Sequence, residues 1–199
     1  MSFITYNSKL NENVELFKYK NIKLRLGDLV FQDLPEIYII DLIYYSQNSK
    51  GPVHVGIVSG FDSLGIPIIT EAFPILGVHT ISLPLFVTRY PFGIFYKTWK
   101  DQTIVEPLLA NIATKIGLEY NIHFSDNPSS QYCSGLICEA YNAISPIPIL
   151  CTQTMLELSN KVPGLSSLYV QYEGIVPNFG ENIWTPKDLL DAKELEDVI

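Results

Sequence analysis

The order of apolar patterns along this chain predicts a single α+β domain, an antiparallel sheet packed against helices. Short strands joined by tight turns fill residues 26–99, and amphipathic helices with glycine or proline stops follow them, a segregation that separates α+β from alternating α/β folds. With 199 residues, 47% of them apolar and 17% charged, the chain can close one core without disulfide or metal staples. Residues 1–25 read as a lead-in without a strong period, and residues 26–199 as the domain.

Each element has a local reason. Leu26 to Gln32 is an apolar run around a Gly27-Asp28 turn and reads as a strand. Pro35 to Gln47 carries Ile39, Ile40, Ile43 and Tyr44 near helical spacing, with Pro35 at its start. Gly51-Pro52 closes the polar loop that follows. Val53 to Ser59 and Ile66 to Ala72 are two strands joined by a turn within Gly60 to Gly65, an antiparallel hairpin. Gly77 to Ser82 and Gly93 to Trp99 add two more, with a short helix over Pro84 to Arg89 between them. Thr103 to Gly117 places Leu108, Leu109, Ile112, Ala113 and Ile116 on one helical face, with Pro107 in the first turn and Gly117 as the stop. Tyr120 to Gln131 is a polar loop. Ser134 to Ile144 is again helical, ended by Pro146 and Pro148. The stretch from Pro146 to Asn182 reads as loops with short strands. Thr185-Pro186-Lys187-Asp188 opens a short acidic C-terminal helix, with Thr185 as its cap.

Composition excludes several functions. Thirteen Lys plus Arg against 21 Asp plus Glu give a formal charge of -8, which argues against nucleic acid or anionic headgroups as steered partners. No apolar run is long enough to form an integral membrane segment, since Ile39-Ile40 and Leu42-Ile43 lie among Asp41, Tyr44 and Tyr45. The first twenty or so residues lack the basic-then-apolar order of a secretory signal, so a cytoplasmic location is expected, with export by another route left open. Cys133, Cys138 and Cys151 show no C-x-x-C spacing, and His54, His79 and His123 stand apart in sequence. Reduced thiols, no metal and no cofactor are therefore expected.

One constellation carries chemistry. Cys133 falls where a polar loop becomes an amphipathic helix, and a helix N-terminus both favours a thiolate and offers N–H groups to an oxyanion. His54 opens a strand, and a hairpin turning within Gly60 to Gly65 would bring Glu71 nearly across from it. Nucleophile, base and orienting carboxylate would then stand together. The plain alternatives are a core histidine, a solvated strand-end glutamate and an inert buried thiol.

Gly27-Asp28-Leu29-Val30-Phe31-Gln32, His54-Val55-Gly56-Ile57-Val58, Thr70-Glu71-Ala72, Gly117-x-x-Tyr120 and Tyr132-Cys133-Ser134-x-Leu136 resemble, in this order, the blocks of the YiiX-like family. These are circularly permuted papain-like cysteine hydrolases of the NlpC superfamily, and permutation accounts for His preceding Cys. The resemblance spans roughly residues 26–143, and Thr185-Pro186-x-Asp188-Leu189 is similar to the family's C-terminal end. It implies Cys133 as nucleophile, His54 as base and Glu71 as the third polar residue, with His79 the alternative to Glu71. It also implies Tyr132 and Ser134 around an oxyanion pocket, with Gln32 a candidate cleft residue. Two positions depart from the pattern. Gly135 replaces the usual Glu after Cys-Ser, which would loosen the helix start. Gly117-Leu118-Glu119-Tyr120-Asn121 lacks the usual Pro and acid.

The activity expected is a cysteine peptidase or amidase, cutting amide or ester bonds through a thioester. The substrate class is a small peptide, an N-acyl amine or a lipid. A lipid acyltransferase or phospholipase on the same three residues is the enzymatic alternative, and a non-catalytic ligand-binding relative is the other.

Overall fold

In the computed structural model, the residues described are 22–33, 51–89, 93–124, 127–149, 153–154, 156–157, 160 and 182–198. The helix expected over 35–47, most of the 1–25 lead-in, Cys151 and most of the stretch from Pro146 to Asn182 lie outside them.

Six strands build the main sheet: β1 (Leu29–Gln32), β2 (His54–Phe61), β3 (Pro67–Phe73), β4 (Gly77–Ser82), β5 (Ile94–Trp99) and β10 (Leu195–Asp197), in the order β10-β5-β1-β2-β3-β4. Every neighbouring pair is antiparallel. Among the described elements, the helices packed with it are α1 (Leu83–Arg89), α2 (Val105–Ala113), α3 (Cys133–Asn142) and α4 (Pro186–Leu190). Two small pairs complete the described elements, β6 (Glu119–Tyr120) parallel to β7 (Ser130–Gln131), and β8 (Gln153–Thr154) antiparallel to β9 (Asn182–Ile183).

Strand alternation sends side chains to both faces, and each face has its own core. Leu29, Phe31, Val55, Ile57, Ala72 and Val78 pack with Leu108 and Ile112 of α2, Leu136 and Ile137 of α3, and Leu189 of α4. On the opposite face Val30, Val58 and Ile69 pack with Leu83, Phe86 and Val87 of α1. Gly56 is the close-approach point on that face, where an added Cβ would lie 2.4 Å from an Ile69 methyl.

Several local expectations need adjusting. The helix expected over 103–117 is a 3₁₀ turn, Gln102–Ile104, capped by Asp101, followed by α2, which ends at Ala113. Leu108 and Ile112 are buried, but Ile116, beyond the helix end, is 50% exposed, so the apolar stripe is shorter than its spacing implied. The loop from Tyr120 to Gln131 contains the parallel β6–β7 pair, which sets the chain up for α3. The C-terminal helix is only five residues long, held by a Thr185–Asp188 capping box with Pro186 in the first turn, and the acidic tail after it forms β10 on the β5 edge. A cavity of about 750 Å³ lies at that edge, where Ile22, Tyr96, Leu190 and Val198 are among its walls.

One irregularity decides how the sheet presents its side chains. β2 and β3 pair Phe61↔Pro67 and Gly60↔Ile68, then Val58↔Ile69 and Ile57↔Thr70, so Ser59 is an extra residue in a β-bulge. Thr70 Oγ1 donates to Ser59 Oγ at 2.7 Å, tying the bulged residue down. Continuing the register past the bulge puts Gly56 opposite Glu71, with His54 two residues on and on the same face. Without the bulge Ile57 would take that place and His54 would point to the other face.

Candidate functional site

Tyr132 is extended (φ -109°, ψ 166°) and provides no side-chain cap for α3, which begins at Cys133. The N–H groups of the first turn consequently point past the helix end beside the sulfur. Cys133 is 2% exposed and is a free thiol.

His54, the first residue of β2, hydrogen-bonds Cys133. Its Nε2 lies 2.5 Å from Glu71 Oε2, which leaves Nδ1 as the nitrogen for the sulfur. Two aromatic rings fix the imidazole: Phe86 stacks on it at 5.6 Å and Phe73 meets it edge-on at 5.7 Å. Burial alone would push the imidazole down. The hydrogen bonds to Cys133 and Glu71, with their negative charge, outweigh it and raise the ring to about 9. Glu71 moves the other way. Burial opposes its charge, but His54 and then Arg89 hold it down to about 2.

Glu71 sits two residues from the end of β3 and directly opposite His79 of β4. It is fully buried, and Arg89 at the end of α1 reaches its Oε2 with Nη2 at 2.6 Å. His79 Nε2 stands 3.1 Å from Oε1, an ion-pair distance without hydrogen-bond alignment. His79 therefore meets the glutamate from the far side, and His54's carboxylate partner is Glu71. The sequence alone does not point to Arg89. Nothing in its spacing marks it, because 18 residues separate it from Glu71.

The remaining candidates take structural contacts. Tyr132 is buried, and its hydroxyl accepts the Trp184 N–H at 3.1 Å. Ser134 Oγ donates to the Trp184 carbonyl at 2.7 Å. The two residues flanking Cys133 thus grip one residue of the C-terminal segment. Gln32, paired with His54 across β1 and β2, is fully buried and donates through Nε2 to the Phe86 carbonyl at 2.8 Å, which ties it to α1. Gly135 sits in close packing at the helix start. The Tyr132 ring fills its side-chain space, with Cε1 2.6 Å from where a Cβ would be. His123 is exposed, and Cys138 is buried in the core.

Among the described residues no cluster of three His, Cys, Asp or Glu side chains suits a metal ion, and the guanidinium of Arg89 occupies the cation position at Glu71. Nor does any described helix have the length and apolarity to cross a membrane.

The family model described as permuted papain-like amidase enzyme, YaeF/YiiX, C92 family, matches residues 23–199. Among solved structures, the crystal structure of metalloprotein yiiX from Escherichia coli O157:H7 is similar in fold, with a TM-score of 0.70. The two are 21% identical over 88% of this chain and 96% of that one. No curated protein matches the sequence.

Proposed function

Because the chain belongs to the permuted papain-like amidase family, we propose that it hydrolyses an amide bond through a thioester on Cys133, with His54 as the proton carrier and Glu71 as its orienting partner. The observation that carries this reading is the chain of contacts from Cys133 through His54 to Glu71 at the start of α3. An imidazolium beside the sulfur is the setting in which thiolate nucleophiles act near neutral pH.

The steps follow from the placement. The Cys133 sulfur forms a bond to the carbonyl carbon, and the electron pair of the C=O moves to oxygen. First-turn N–H groups of α3 face the site of that oxyanion. His54 then gives its proton to the nitrogen as the C–N bond breaks, and the amine leaves. Water attacks the thioester, His54 takes its proton, and the acid departs with Cys133 restored. Glu71 fixes the ring so that one nitrogen serves both proton transfers. A small peptide or N-acyl amine supplies the bond. Attack by an amine in place of water would make the second half of the cycle an acyl transfer.

The test is alkylation of Cys133 by iodoacetamide across pH, read by mass spectrometry, in the native chain and in His54→Ala. A fast reaction well below the ordinary thiol pKa of about 8.5, slowed by the substitution, supports an activated pair. Mass addition of an acyl group on incubation with N-acyl amides then identifies the thioester. Equal, slow alkylation in both proteins refutes the reading.

A further inference from the structure

Glu71 has two carboxylate oxygens and three basic neighbours. Oε2 meets His54 Nε2 at 2.5 Å and Arg89 Nη2 at 2.6 Å, while Oε1 meets His79 Nε2 at 3.1 Å. A carboxylate that orients a ring must stay ionised and stay turned toward it, and burial works against the charge. A single imidazole would hold it from one side only.

Arg89 gives the same oxygen a second hold. Its Cζ lies 4.0 Å from the Phe73 ring centroid and 5.4 Å from that of Phe86. These are the two rings that flank His54. One aromatic pair therefore positions both cations against the same carboxylate oxygen, and cation–π attraction adds to the ion pair.

We propose that Arg89 is a positioning residue of this site, keeping Glu71 anionic with Oε2 turned toward His54. The proposal rests on the amidase reading, because it gives Arg89 a part in that reaction. Arg89 acts through Glu71 and takes no part in bond making. His79 does not replace it. The Nδ1 of His79 stands 3.1 Å from the Gly77 carbonyl oxygen, which only accepts, so Nδ1 carries a hydrogen. The contact of its Nε2 with Glu71 Oε1 lacks hydrogen-bond alignment, whereas Arg89 Nη2 donates to Oε2. The guanidinium stays charged throughout. The remaining group, Cys133, reaches the cluster through His54.

Two variants of the full chain test this. Arg89→Met keeps the length and the aromatic packing but removes the charge, and Arg89→Lys keeps the charge without the planar fork. The Glu71 carboxyl is titrated by carbon NMR, Cys133 is alkylated with iodoacetamide across pH, and kcat and KM are measured on whichever N-acyl amide labels the enzyme. In Arg89→Met, Glu71 should titrate about one unit or more higher, and the acid limb of alkylation should climb with it. With Oε2 no longer held toward His54, kcat should fall about tenfold, while KM stays unchanged. Arg89→Lys should restore both limb and kcat.

A folded Arg89→Met with Glu71 titrating as in the native chain overturns the proposal. If Arg89→Met does not fold, Arg89→Lys decides: lost activity while Glu71 still titrates low also overturns it. Failure of the amidase reading looks different. The native chain would then show a low Glu71 titration that depends on Arg89, with no amide turned over and no acyl adduct.

Discussion

His54 is buried and yet charged, and the two facts pull against each other. Burial costs the imidazolium its water, and only the Cys133 and Glu71 contacts outweigh that. The consequence is a pH dependence with a definite sign. The ring's pKa rises from 6.5 to about 9 on folding, so its stabilisation is complete below 6.5 and fades as pH climbs through 9. Glu71 falls from 4.5 to about 2, so its share is complete above 4.5 and is lost only as pH drops through 2. The thermal midpoint should therefore be flat between these windows and decline on the alkaline side, and scans of the native chain and His54→Ala will show whether that slope disappears with the ring. Glu71→Gln leaves His54 and Arg89 facing a neutral group in a buried site. The loss should be about 3–5 kcal/mol, measurable by denaturant unfolding. The residue types of Cys133, His54 and Glu71, at helix start and strand, made these three legible in the sequence. Arg89 was not, because its contact depends on how α1 folds back across the sheet.

The elements decide which side chains meet. Alternation along a strand is strict, so the single extra residue in β2 sets the face on which His54 appears. Deleting Ser59 would send His54 to the wrong face and with it turn Val55 and Ile57 out of the core. We expect that variant to lose both its cooperative unfolding transition and its Cys133 reactivity, whereas Ser59→Ala should cost only about 1 kcal/mol. Circular dichroism melts of the pair decide the point. A second element-level prediction concerns Gly135. Helix propensity favours alanine there by about 0.5–1 kcal/mol, but its Cβ would collide with the Tyr132 ring at 2.6 Å. Overpacking of this kind costs about 1–3 kcal/mol, so Gly135→Ala should lower the melting point and slow alkylation of the neighbouring Cys133. The hairpin was readable from its Gly and Asp turn, and the nucleophile's helix from its apolar spacing. The bulge also left a trace, since a glycine inside a strand pattern often marks one. Gly60 equally suits the start of the turn, because the same residue signals both.

For the whole molecule, the sequence order of strands and helices made the α+β class legible, and the spaced blocks made the permuted papain-like architecture legible. The edge of the sheet was hidden. Leu195–Asp197 shows no strand signal of its own, being acidic and short, and becomes β10 only because β5 offers an unpaired edge with Trp99 opposite Leu195. The grip of Tyr132 and Ser134 on Trp184 was equally invisible, joining residues 52 and 50 positions apart. That grip makes the far end of the sequence part of the nucleophile's support. Tyr132→Phe, which removes the acceptor for the Trp184 N–H, should cost about 1–3 kcal/mol and loosen protection of the Trp184 amide in hydrogen exchange.

The cavity at the β5–β10 edge has Ile22 on one wall and Val198 on another, and both pack against the same core with Tyr96. Two points at opposite ends of the described sequence are thus neighbours in space. A short flexible linker from residue 198 to residue 22 would span them, and the exposed bend at Lys100 and Asp101 offers a place to begin the chain anew. Such a rewired polypeptide would read Cys133 first and His54 second, leaving every contact of the site intact while reversing the order in which a ribosome makes them.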